Sequence, residues 1–76
     1  MHFIKRIEDP VCQISLFAWN GKYILKFEAN QLEQTFKIDE TEVNTVKDVE
    51  LIVNQQFKDK VLARFQEMAA DWYSNF

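Results

Sequence analysis

Few residues in this chain have the chemical character of a reactive site. His2, the second residue of the sequence, is the sole histidine, so it has no second imidazole to share a metal or a catalytic dyad. Cys12 is the sole cysteine and falls in a strand-like stretch, where a thiol is ordinarily a small buried hydrophobe rather than a nucleophile. Asp39, Glu40 and Glu42 cluster, but a hard-cation loop needs converging oxygen ligands around a tight turn, and no glycine is near. Glu67 and Asp71 lie beside Arg64 at helical spacing, as on a solvated helix face. Gly21 is the only glycine, so no glycine-rich loop can cradle a phosphate. These residues predict no catalytic site, no metal site and no cofactor, and the chain reads as a non-enzyme.

A different chemistry is carried by Phe17, Trp19 and Ile24, which alternate with Lys22, Lys26 and Lys37. Aromatic rings among cations can stack the bases of a single strand. Aromatic clusters also mark contacts between proteins. The C-terminal residues Trp72, Tyr73 and Phe76 raise the same possibility of a protein contact.

The elements that position these residues follow from turn chemistry and periodicity. Asn20-Gly21 favours the two positive φ angles of a type I′ turn, which predicts a hairpin of Val11–Trp19 with Lys22–Glu28. A two-residue turn sets Trp19 against Lys22, Phe17 against Ile24 and Ser15 against Lys26. One face then holds Ile14, Leu16, Ala18, Tyr23, Leu25 and Phe27 as core. The other holds Gln13, Ser15, Phe17, Trp19, Lys22, Ile24 and Lys26. A turn near residues 29–31 leads to a further strand, Leu32–Ile38, with Leu32, Gln34, Phe36 and Ile38 turned to the core and Gln34 near an edge. Phe3–Ile7 reads as a first strand with blurred alternation, ended by Glu8-Asp9-Pro10.

Helical texture begins after the charged connection 39–42. Thr45 and Asp48 stand at capping-box spacing ahead of Val46, Val49, Ile52 and Val53, and Asn54 is expected to break or kink that short helix. Residues 55–75 form the strongest helical pattern, with Phe57, Val61, Phe65, Met68, Trp72 and Phe76 on one face. Leu62, Ala69 and Tyr73 widen the apolar arc to roughly 160°, beyond the roughly 100° that one core needs. Such a helix is expected to overhang its own sheet unless it runs along the strands. The contact predicted for a second copy is therefore Leu62, Ala69, Trp72, Tyr73 and Phe76.

The 76 residues form one α+β domain: an antiparallel meander of three to four strands in 1–38, then a short and a long helix in 39–76 on one face. Composition limits the function classes. The first half carries five bases and four acids, the second four bases and eight acids, for a net charge of −3. An acidic chain is a poor general binder of polyanions. The single cysteine and the absence of an apolar leader predict a cytoplasmic protein, and no run is long enough to span a membrane.

The segment Ile14-Ser15-Leu16-Phe17-Ala18-Trp19-Asn20-Gly21-Lys22-Tyr23-Ile24-Leu25-Lys26-Phe27-Glu28, with the helix after Phe57, resembles the positive-cofactor and Whirly type of single-strand-binding domain. The resemblance covers about half of the chain and implies a homodimer built through helices, with nucleic acid on the sheet. The chain departs from that pattern in lacking a strongly basic surface and in inserting the short helix near Val46–Val53. The leading expectation is a homodimeric protein-interaction module of unidentified role, possessing a site for a protein partner. The alternative is a single-strand nucleic-acid binder using Phe17, Trp19, Lys22, Ile24, Lys26 and Lys37.

Overall fold

The computed structural model describes residues 1–76. Four strands, β1 (His2–Ile7), β2 (Gln13–Trp19), β3 (Lys22–Ala29) and β4 (Leu32–Asp39), form an antiparallel sheet in the order β1-β2-β3-β4. A 3-10 turn at Glu40–Glu42 leads to α1 (Val46–Ile52) and α2 (Gln55–Tyr73), which cover one face. The expected α+β architecture is the observed one.

The two tight hairpins, β2–β3 and β3–β4, are held by local backbone chemistry. Asn20 and Gly21 take φ angles of 53° and 73°, and the β2–β3 register is the predicted one, from Trp19 opposite Lys22 to Gln13 opposite Glu28. The second turn uses Asn30 at φ 57°, a conformation that asparagine tolerates better than most residues, and pairs Ala29 with Leu32. The blurred alternation of the first strand has a structural cause. A bulge lies between Phe3, which pairs with Phe17, and Lys5, which pairs with Leu16, so Ile4 is the extra residue. Ile4 still packs on the core, and Lys5 reaches Glu50 of α1 at 2.8 Å.

The helices begin where side chains satisfy their free N–H groups. Thr45 and Asp48 form the complete capping box of α1. Asn54 does more than interrupt the helical pattern: its side chain accepts from the Phe57 N–H at 2.9 Å and starts α2. The core consists of Ile14, Leu16, Leu25 and Phe27 from the sheet against Val49, Val53, Val61 and Phe65 from the helical half. Phe57 closes a ring triad, its centroid 5.7 Å from Phe27 and 5.2 Å from Phe36, with edge-on geometry throughout.

These contacts set the path of α2. Phe57 meets Phe36, Val61 accepts a hydrogen bond from Gln34 Nε2 at 2.9 Å, and Phe65 shares a groove with Leu32. Four helical residues advance about 6 Å and two strand residues about 7 Å, so α2 runs antiparallel to β4 in step with it. It starts halfway along that strand and therefore passes beyond the Asn30 turn, giving a molecule 42 Å long and 18 Å thick. The overhang expected from the sequence is present, although the helix follows the strand axis. Gln34, expected near an edge, is instead sealed beneath α2 at 7 % exposure, and its Oε1 has no partner within the chain. Beyond Ala69 every residue of α2 is exposed.

Phe65 is 5 % exposed between the sheet and α2. Phe65→Ala is expected to cost about 3–5 kcal/mol, most of the roughly 5 kcal/mol available to a domain of this size. Urea denaturation measures it, and a loss below about 1 kcal/mol would contradict this packing.

Candidate interaction surfaces

The sheet face away from the helices brings together all six residues singled out for it: Phe17, Trp19, Lys22, Ile24, Lys26 and Lys37 lie there by strand alternation. Neither β1 nor α2 covers this face, and Trp19 is 51 % exposed. Phe3 joins it, its ring 5.6 Å from Phe17 and edge-on. Phe3 was not legible as part of this face, because the bulge at Ile4 breaks the alternation that would have placed it. Ile24 is only 2 % exposed although no layer lies over it. Phe17 and Lys37 stand directly opposite it on the neighbouring strands.

The electrostatics of this face are nearly balanced. Arg6, Lys22, Lys26 and Lys37 share it with Glu28, Glu33 and Asp39. Lys22 meets Asp39 at 2.5 Å and Lys26 meets Glu33 at 3.5 Å. The hydrogen bond to Asp39, and then its negative charge, raise the Lys22 pKa above the ordinary lysine value. The Lys26 ammonium also sits 5.8 Å from the centroid of the Phe17 ring. Two of the three lysines that suggested a basic groove are thus engaged by acids on β4. The acids were visible in the sequence, but their pairing depends on the β3–β4 register.

The second surface is the overhanging end of α2. Leu62 and Ala69 are half-buried and line a groove of about 320 Å³ with Val11, Ala29, Leu32 and Phe65. Trp72, Tyr73 and Phe76 project beyond it, 49 %, 46 % and 83 % exposed. Their rings cluster on one another, with Trp72 to Phe76 at 4.9 Å and perpendicular, and Tyr73 to Phe76 at 6.2 Å. The five residues predicted as a dimer contact therefore make one continuous apolar flank.

His2 is exposed on an edge strand. No group of three or more His, Cys, Asp and Glu is arranged to hold a metal ion, and no helix is long and apolar enough to cross a membrane. Cys12 is half-buried, and burial, followed by the charge and hydrogen bonding of Asp9, pushes its thiol pKa up. That is the opposite of what thiolate chemistry requires. Asp9 organises the β1–β2 turn by accepting from the N–H groups of Val11 at 3.0 Å and Cys12 at 3.2 Å, with the Lys58 ammonium at 3.2 Å.

Comparison with protein-family models, with curated proteins and with solved structures finds no match for this chain.

Partial burial pushes the Asp9 carboxyl upward, but the Val11 and Cys12 N–H groups and Lys58 outweigh it and hold the pKa below the ordinary 3.8. A depressed carboxyl stabilises the fold above the unfolded-state pKa, and that stability is lost as pH falls through the folded-state value. Asp9→Asn should cost about 1–2 kcal/mol at pH 7. The gap to the unaltered protein should close when the pH is taken well below about 4, far enough that the lowered carboxyl is protonated in the folded state. Denaturation at both pH values checks this, and a gap independent of pH would refute it.

Proposed function

We propose that this chain is a non-enzymatic protein-interaction module that works as a homodimer, with the overhanging end of α2 as part of the contact. The observation that carries this reading is the cluster of Trp72, Tyr73 and Phe76 in the overhang, continuous with the groove at Leu62 and Ala69. Three aromatic rings that reach no core of their own are unusual on a free monomer. Helix ends also fray unless they dock. A second copy of the same flank supplies an apolar surface for them. The neutralised lysines weigh against the nucleic-acid reading, since phosphate contacts by free cations supply most of that affinity.

Light scattering at about 50 µM, a concentration suited to micromolar association, should give twice the 9.1 kDa chain mass. Trp72→Ala with Phe76→Ala should shift the protein toward monomer while leaving its far-UV circular dichroism unchanged. A monomer for the unaltered chain at that concentration would overturn the reading. Oligo-dT at low salt should leave tryptophan fluorescence unquenched. Tight, salt-sensitive quenching abolished by Lys22→Glu with Lys26→Glu would transfer the function to the sheet face.

A further inference from the structure

The edge of β4 is open, and its backbone phase and charges are self-complementary. Glu40 N–H bonds to the Gly21 carbonyl at 2.9 Å, which continues the β3–β4 ladder and fixes its phase. Hydrogen-bonded and non-bonded pairs alternate along an antiparallel ladder. The bonded pairs are therefore Tyr23 with Ile38, Leu25 with Phe36, Phe27 with Gln34 and Ala29 with Leu32. Glu33, Thr35 and Lys37 consequently aim their N–H and C=O groups outward, away from β3. No hydrogen bond within the chain uses these groups. β4 runs eight residues without a register shift or a proline, whereas the opposite edge, β1, is broken by its bulge. It has none of the backbone irregularities that usually blunt an edge.

We infer that a second copy of this chain pairs its own β4 antiparallel along this edge, with the two-fold axis at Thr35, joining two four-stranded sheets into one. The inference rests on the homodimer reading and specifies its geometry. Charge selects the register. An axis at Glu33 or Lys37 sets like charges face to face, and an axis at Phe36 sets Glu33 against Asp39. An axis at Gln34 leaves Glu33 and Lys37 unmatched. An axis at Thr35 places each Glu33 opposite Lys37 of the second copy, in hydrogen-bonded positions that match the outward groups of both strands. On the helix face it sets half-buried Leu32 opposite Ile38, and Gln34 opposite Phe36. Because α2 runs past Leu32, the same axis directs its aromatic end toward the region beyond Ile38 of the second copy. The end of an apolar groove of about 290 Å³, lined by Phe36, Ile38, Ile52 and Phe57, opens beside Ile38 on the way to that region.

Sedimentation equilibrium tests the register. Lys37→Glu sets two acid pairs across the axis, and Glu33→Lys sets two basic pairs. Each variant alone should raise the dimer Kd roughly tenfold or more. An equimolar mixture of the two should recover the affinity of the unaltered protein, because each cross-strand pair is then opposite in sign. The double variant Glu33→Lys with Lys37→Glu should dimerise normally by itself, which keeps the test valid if a single variant folds poorly. Dimers unaffected by either single change would overturn the β4 pairing and leave the homodimer reading standing. Weakened dimers that the mixture fails to restore would overturn the Thr35 register. A monomeric unaltered chain would overturn both readings.

Discussion

The seating of Phe57 between Phe27 and Phe36 is the contact on which the rest of the arrangement depends. It ties the first turn of α2 to the middle of β3 and β4. Once that ring is placed, the near-equal advance of four helical and two strand residues carries Val61 to Gln34 and Phe65 to Leu32. The helix therefore lies over the sheet along β4 and leaves the outward side of that strand open. It also runs out of sheet after Ala69, so Trp72, Tyr73 and Phe76 have no core to enter. The two exposed features, a bare strand edge and an aromatic helix end, are thus consequences of one packing contact.

Burial and charge then divide the labour between the two sheet faces. The covered face supplies the sheet side of the main core from Ile14, Leu16, Leu25 and Phe27. On the open face Ile24 is buried without a second layer, with Phe17 and Lys37 opposite it on the adjacent strands. Its lysines meet acids across the β3–β4 ladder, so the face that a base count suggests is cationic is close to neutral. Exposed pairs of this kind contribute little to stability. Their consequence here is for recognition, because engaged cations offer little to a phosphate backbone.

The parts of this fold that local chemistry dictates were legible. Asn20-Gly21 specified the turn, and a two-residue turn specified every pair in the first hairpin. Thr45 and Asp48 marked the start of α1, and the wide apolar arc of α2 marked a helix with more hydrophobic surface than its core needs. The parts that depend on relations between distant elements were not. Phe3 could not be assigned to a face because the bulge at Ile4 is invisible to alternation. Gln34 read as peripheral because its partner, the Val61 carbonyl, lies 27 residues away. The significance of Glu33 and Lys37 emerges only when β4 is known to be an edge strand and its outward backbone groups are known.

The most direct measurement of the central claim is residue-resolved amide hydrogen exchange along β4 as protein concentration rises. Bonding to β3 alone protects the Gln34 and Phe36 amides and leaves those of Glu33, Thr35 and Lys37 open to solvent. Pairing of two copies at Thr35 predicts that Glu33, Thr35 and Lys37 become as slow as Gln34 and Phe36 at concentrations where the dimer forms. Fast exchange at these three amides in a protein already shown to be dimeric would contradict the claim and place the contact elsewhere.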